Sequence, residues 1–194
     1  MTPSNSCGDC SMCCQHLLIE ELEKPAGVLC GHFKDSACAI YDGRPNACRG
    51  FHCAWLKSQR LPPGSRMGPD WRPDVARFVM YTERADQRLN VVVDPAYPLA
   101  WTREPYYGFI KRLSQRVAEG FELLVFVDDR RIVVFPDEDM DLGPVKPGDE
   151  IVFGYATRDG REVPYAEVVK EQGDLEAGLA PSPSRRSTVI HSRP

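Results

Sequence analysis

The order of hydrophobic and polar positions predicts regular secondary structure in the later part of the chain but not in the earlier part. Apolar side chains at 76–82 and 89–93, separated by a polar turn, predict two β-strands. Apolar positions at helical spacing then predict a helix that begins at Glu104 or Pro105 and ends at Glu119. Both signals are typical of elements with one face buried against a core.

Turn sequences divide the apolar runs that follow into further strands. The runs at 121–127 and 132–135 flank an Asp-Asp-Arg turn, which predicts a β-hairpin. A Pro-Gly turn precedes a predicted strand at 150–156, and a last short strand is expected near Val163. We therefore expect an α+β region over residues 75–170, with mostly antiparallel pairing.

The other parts of the chain lack the pattern of a self-sufficient core. Residues 1–60 carry few aliphatic and aromatic side chains, and small domains of this kind usually need a metal or disulfides as a staple. Residues 61–74 are rich in Pro and Gly, which predicts an irregular connector that still packs locally through Trp71. The composition of residues 171–194 predicts a disordered tail. The expected fold is thus α+β, with a small Cys-rich, metal-stapled N-terminal segment before a mostly antiparallel region.

Composition and charge narrow the classes of function. The chain of 194 residues has a formal net charge of -4, whereas general nucleic-acid binders usually carry a basic face. No apolar run approaches the roughly 20 residues that span a bilayer, and residues 1–6 lack the features of a signal peptide. We therefore expect a cytoplasmic protein with neither a membrane nor a nucleic acid as its partner.

The candidate chemistry lies in eight cysteines, all within the first third of the chain: Cys7, Cys10, Cys13, Cys14, Cys30, Cys38, Cys48 and Cys53. Cysteines separated by two residues can turn both sulfurs towards one ion, as in zinc sites and iron–sulfur clusters. In a reducing cytoplasm this pattern favours a metal site over the two alternatives, a disulfide framework and unliganded thiols. We predict that all eight cysteines bind zinc or iron, with an iron–sulfur cluster as one form of the iron centre.

The adjacent Cys13 and Cys14 constrain the number of sites. Neighbouring side chains tend to diverge, so the two thiolates could hardly bind the same mononuclear ion. Two metal sites, or one multinuclear centre, is therefore a reasonable hypothesis. Arg44 and Arg49 flank Cys48, where they are either cations that offset thiolate charge or ordinary surface arginines.

Other metal-ligating side chains are expected to play lesser roles. His16, His32 and His52 lie within the cysteine segment, but with eight thiols at hand we expect them to be structural or solvated. The acidic cluster from Asp137 to Asp141 lacks the spacing of a calcium loop, and a solvated loop is expected there.

The cysteines and their neighbours form one joint pattern: Cys7-x-x-Cys10-x-x-Cys13-Cys14, then Cys30, then Cys38-x-Ile40-Tyr41-x-x-Arg44-Pro45-x-x-Cys48-Arg49-x-Phe51-x-Cys53. Over residues 7 to about 57 this pattern resembles the YkgJ-type cysteine-cluster family, a zinc- or iron-chelating domain. The resemblance implies that the matching cysteines are the metal ligands and that Arg44, Pro45 and Arg49 belong to the same motif. Related clusters occur in a flagellin lysine methylase, so the module can accompany an enzyme. The chain departs from the family at Phe33, where many members carry another cysteine.

The role of the metal stays open at the level of sequence. The leading hypothesis is a metal-binding protein whose biological role is unresolved. One alternative is a metal-dependent enzyme, acting in redox or group-transfer chemistry, with a pocket between the cysteine cluster and the α+β region. Another is a protein-interaction module that a structural metal shapes.

Overall fold

The computed structural model describes residues 7–83, 86–170 and 186–191. Within this part of the chain the α-helices are short, and they span Met12–His16 (α1), Asn46–Gly50 (α2), Ala54–Ser58 (α3), Pro73–Ala76 (α4) and Tyr106–Ser114 (α5). The 3₁₀-helices span Glu20–Leu22, Pro63–Ser65, Pro69–Trp71, Ala100–Thr102 and Gln115–Glu119. The strands span Phe33–Lys34 (β1), Ala37–Cys38 (β2), Phe78–Glu83 (β3), Arg88–Val93 (β4), Glu122–Val127 (β5), Arg130–Val134 (β6), Asp139–Pro144 (β7), Glu150–Arg158 (β8), Arg161–Val169 (β9) and Arg186–His191 (β10).

A five-stranded sheet in the order β3-β4-β5-β6-β7 forms the centre of the fold. Its neighbours pair antiparallel except for β4 and β5, which are parallel. The segment between those two strands contains α5, and a parallel pair requires a long crossover of this kind. The mixed α+β class, with mostly antiparallel pairing, is therefore confirmed.

One face of this sheet packs against α5 in the main hydrophobic core. Alternate residues of the strands point to that face, because successive side chains of a strand lie on opposite sides. The core residues that strands and helix contribute include Phe78, Met80, Leu89, Val91, Val93, Ile110, Leu123, Val125 and Val134. The predicted connector also packs here, since the Trp71 ring meets Tyr106 and Phe109 edge to face, at centroid distances of 4.9 and 5.0 Å.

Two different parts of the chain pack against the opposite face of the sheet. A second sheet, in the order β10-β8-β9, packs against its β5–β6 side through a cluster with Leu124, Val133 and Phe153. The cysteine segment covers its β3 side, where Cys10 and Met12 pack against Val79. Between the second sheet and the cysteine segment, the middle of the central sheet is left as the floor of a concave surface.

The cysteine segment itself is thinly packed. Its buried apolar side chains between residues 7 and 57 are few: Cys10, Met12, Ile19, Cys30 and Leu56. Its strands β1 and β2 are two residues long each. Little apolar area is therefore buried in this segment, and its need for a staple stays a prediction.

The predicted ends of the long helix agree with the structure, although the helix changes type on the way. The α-helix ends at Ser114, continues as a 3₁₀-helix, and stops at Gly120, whose φ of 83° is left-handed. A left-handed residue after the last turn is a common helix terminator, and glycine adopts it without steric cost.

Replacing Gly120 with alanine is therefore expected to lower the free energy of unfolding by about 1 kcal/mol. No heavy atom lies within 4 Å of the position of an added Cβ, so the cost would arise from the backbone alone. Gly64→Ala is the matched control, because its Cβ also meets open space but its φ is not left-handed. Urea unfolding of both variants should separate them, and equal stability losses would contradict this account.

Two segments differ from the expectations from sequence. The acidic stretch divides in two: Asp137 and Glu138 are exposed in a loop, as expected, whereas Asp139 and Asp141 belong to β7. Asp139 accepts hydrogen bonds from Lys111 and Tyr107, and Asp141 pairs with Arg130. These partners and the neighbouring strand, which local composition does not report, make the second half of the stretch a strand. Within the predicted tail, Arg186–His191 pairs with β8, and the rest of the tail, 171–185 and 192–194, lies outside the described residues. No helix in the described ranges has the length and apolar character that crossing a bilayer demands.

Candidate metal centre

The eight cysteines come from several short elements that the fold brings to one region. All of them are free thiols. Cys7 and Cys10 lie in the turn before α1, Cys13 and Cys14 in α1, Cys30 in a loop, Cys38 at the end of β2, Cys48 in α2, and Cys53 at the start of α3. The turn before α1 is closed by the Cys10 N–H, which donates to the Cys7 carbonyl at 3.2 Å.

Four of the thiols surround a small cavity between the cysteine segment and β3. Its volume is about 20 Å³, and its cysteines are Cys7, Cys10, Cys13 and Cys53. The remaining wall is apolar and includes Phe51, Leu56, Pro73 and Val79. A space of roughly 10–15 Å³ suffices for one water, so this cavity is of the size of a single small species.

The other four thiols line a much larger cleft beside it. Cys14, Cys30, Cys38 and Cys48 belong to the wall of this cleft, whose volume is about 630 Å³. The Cys30 N–H donates to the Cys14 carbonyl at 3.0 Å, which holds the loop against α1. The cleft wall also includes Cys7, Cys10 and Cys13, so the two cavities adjoin.

Hydrogen bonds among the thiols change their acidity. Hydrogen bonding with the Cys13 thiol lowers the pKa of Cys7 to about 6 and the pKa of Cys14 to about 7. The pKa of Cys13, which is hydrogen-bonded to both, is raised by those hydrogen bonds and by burial, and its single S–H proton can be donated to one neighbour at a time. The thiolate is the form that binds a metal, so this region favours a thiolate at Cys7 or Cys14 near neutral pH.

Burial has the opposite effect on thiols that receive no such hydrogen bond. Loss of water raises the pKa of Cys10 to about 11 and also raises the pKa of Cys53. The pKa of Cys48 is raised by burial and then by the negative charges of Cys14 and Cys30. A cation among these sulfurs would favour their thiolate forms, because an opposite charge offsets both the burial and the mutual repulsion.

Two cationic side chains face the thiols, and only one of them stands out in the sequence. Arg44 lies over the ring of Tyr41, with 3.6 Å between its guanidinium carbon and the ring centroid, and its charge lowers the pKa of Cys7 and Cys14. Arg49 instead donates to the Arg44 carbonyl at 2.7 Å, so it supports that residue rather than the thiols.

The second cation is Lys24, which sequence reasoning missed. Its side chain is buried, and its ammonium donates to the carbonyl of Gln15 at 2.9 Å and to that of Leu17. Burial lowers the pKa of Lys24, while the nearby cysteines, Cys30 and Cys14 first among them, raise it. No local signal marks this residue, because its position beside the thiols depends on how the chain folds back after α1.

The histidines differ from one another in their surroundings. His52 is engaged, with 3.2 Å between its Nδ1 and the Gly50 carbonyl and 2.9 Å between its Nε2 and Nη2 of Arg60. His32 is exposed at the cleft, as a solvated histidine would be. His16 is buried in the cleft wall, and its Nε2 has no hydrogen-bond partner.

The thiols are gathered, but they do not yet form a coordination sphere. Within 7–83 and 86–170, no group of three or more Cys, His, Asp or Glu side chains is arranged so that it could hold a metal ion. Thiolates are suitable ligands for zinc and iron. The sulfur atoms would, however, have to move closer together when a metal binds.

Comparison with known proteins adds no further constraint. No family model, curated protein or solved structure matches this chain, so the resemblance to the YkgJ-type family stays a prediction from the spacing of the cysteines.

Proposed function

We propose that this chain binds metal ions, zinc or iron, through two sets of four cysteine thiolates. One set is Cys7, Cys10, Cys13 and Cys53, and the other is Cys14, Cys30, Cys38 and Cys48. The observation that carries the proposal is the gathering of all eight free thiols around two adjoining cavities. Cys53 lines only the small cavity, the four thiols of the second set line only the large one, and the other three thiols line both. Cys13 and Cys14 hydrogen-bond to each other, so the two proposed sets would adjoin at this pair.

Binding would require the second set to draw together. Tetrahedral zinc holds each sulfur at about 2.3 Å, which brings sulfurs to within about 4 Å of one another. The segments that carry Cys30, Cys38 and Cys48 are short and have little buried apolar area, so they could shift at small cost in packing. Lys24 and Arg44 would offset the negative charge of the thiolates, as cations around metal sites do.

A second candidate function is a metal-dependent enzyme, acting in redox or group-transfer chemistry. It is favoured by the cleft of about 630 Å³, which lies between the cysteines and the central sheet and has the volume of a ligand pocket. A catalytic zinc keeps one ligand position open for water or substrate, whereas a structural zinc is closed by four protein ligands.

The test is the metal content of protein isolated without oxygen, together with its visible spectrum. We expect bound zinc in a colourless protein or bound iron in a brown one, and removal of the metal should open residues 7–57 to proteolysis. Protein that is free of metal as isolated, and that takes up neither zinc nor iron afterwards, would refute the proposal.

A further inference from the structure

The large cleft has walls that suit a small molecule as well as a metal. Its floor is the face of the central sheet that neither α5 nor the second sheet covers, and it includes Tyr81, Val92 and Phe126. Its other wall is the cysteine segment, with apolar side chains such as Leu17 and Ile40. A concave, mostly apolar site of some hundreds of cubic ångströms with a few polar groups is typical of ligand pockets.

Arg131 of β6 is the unusual polar group of this floor. Its side chain is only 8% exposed, and it belongs to the cleft wall. Nη1 donates to the carbonyls of Asp128 and Arg130, at 2.9 and 3.0 Å, and the guanidinium carbon lies 4.7 Å from the centroid of the Phe126 ring. Nε is buried without a hydrogen-bond partner, so one edge of the guanidinium lacks an acceptor among the described residues.

The charges around Arg131 leave it without a close counter-ion. Among the residues described, no carboxylate lies within salt-bridge distance of its guanidinium. Asp129 and Asp128 are exposed at the rim, where their charges act to raise the pKa of Arg131 without forming a salt bridge to it, and Glu83 is exposed beside Tyr81. A buried guanidinium with an unmade hydrogen bond costs free energy, and an anion that reached it would recover that cost.

His16 supplies a second buried polar atom without a partner on the facing wall. Its side chain is 7% exposed, its Nε2 makes no hydrogen bond, and it lines the same cleft. Both residues line the cleft, and each has one buried nitrogen without a hydrogen-bond partner, so the walls of the cleft suit a ligand with a polar group better than a purely apolar one.

We propose that this cleft binds a small organic monocarboxylate, with its carboxylate on Arg131 and its apolar body along Phe126, Val92 and Tyr81. The planar fork of an arginine matches a carboxylate through two parallel hydrogen bonds. The rim carboxylates, Asp128 and Asp129, would repel the second charge of a phosphate, which favours the singly charged group. This inference goes beyond the proposed metal binding and does not rest on it, because the residues that would hold the ligand belong to the central sheet and not to the segment whose thiols would draw together around a metal.

The test compares carboxylates with uncharged molecules of the same shape. Butanoate, hexanoate, octanoate and decanoate, and the primary amide and primary amine of each length, are titrated into the whole protein as isolated. Calorimetry gives the affinity, and the ¹⁵N-detected Nε–H resonance of Arg131 reports contact at the site. For at least one chain length, the affinity of the carboxylate is expected to exceed that of its amide by about tenfold or more. The same carboxylate should shift the Arg131 Nε–H resonance.

Arg131→Met keeps the apolar stem of the side chain and should abolish this preference. Arg130→Met is the matched control, since Arg130 is the exposed neighbour that pairs with Asp141, and it should keep the preference. If Arg131→Met does not fold, the comparison of carboxylate with amide and the Arg131 resonance still decide the question in the unaltered protein. The proposal would be overturned if amide and carboxylate bound equally, if the amine bound more tightly, or if no carboxylate bound at millimolar concentration. It would also be overturned if Arg130→Met lost the preference for the carboxylate as fully as Arg131→Met.

Discussion

Replacing Cys53 or Cys38 with serine is expected to remove about half of the bound metal in each case and to leave the other half in place. Cys53 lines the small cavity and Cys38 the large cleft, so each variant should damage one set of four thiolates. A serine hydroxyl does not ionise near neutral pH and is a poor ligand for zinc or iron, whereas each lost thiolate removes a metal–sulfur bond. Elemental analysis of the two variants and of the double variant measures the loss.

The controls distinguish loss of ligands from general damage. Ala39→Ser introduces the same side chain at an exposed position next to Cys38, and its metal content should equal that of the unaltered protein. Loss of all metal in either single cysteine variant, with the fold intact, would contradict two separate sets and would indicate one multinuclear centre. The double variant should also expose residues 7–57 to proteolysis, because metal affinity in a thinly packed segment is folding free energy.

Leu124→Ala is expected to lower the free energy of unfolding by about 3 kcal/mol. Leu124 is fully buried on β5, where it packs in the cluster that joins the central sheet to β8 and β9. Removal of its side chain loses apolar burial and leaves a cavity, and a strand in the middle of a sheet cannot readily move to fill it. Urea unfolding monitored by circular dichroism gives the change in free energy.

The matched control is Leu99→Ala, in which the same atoms are removed from a side chain that is 69% exposed. Its stability should change by less than about 0.5 kcal/mol, as is usual for surface substitutions. A Leu124→Ala variant as stable as Leu99→Ala would mean that the interface between the two sheets contributes little to the fold.

The fold could be predicted where local signals and tertiary packing agree. Strands β3 and β4, the helix that Gly120 ends, and the β5–β6 hairpin all follow from apolar periodicity and turn residues, since both are properties of neighbouring positions. The parallel pairing of β4 and β5 was not predicted, because it depends on how the α5 crossover returns the chain to the sheet.

The less predictable features depend on partners that are distant in the chain. Strand β7 carries Asp139, whose contacts with Lys111 and Tyr107 come from about thirty residues away. Lys24 and Arg131 are ordinary cations in the printed sequence, and only burial makes them unusual. Neither composition nor periodicity reports on such contacts.

The sequence by itself determined which donors are present, because eight cysteines with this spacing limit the chemistry to that of cysteine sulfur: metal ligands, disulfides or free thiols. It also determined the α+β class, since the periods of strands and helices are local. Only the tertiary structure decided that Cys13 lines both cavities whereas Cys14 lines the larger one alone, and that Arg131 lies beneath a cleft. The physical reason is that side-chain chemistry belongs to a single residue, whereas proximity and dehydration arise when distant segments pack together.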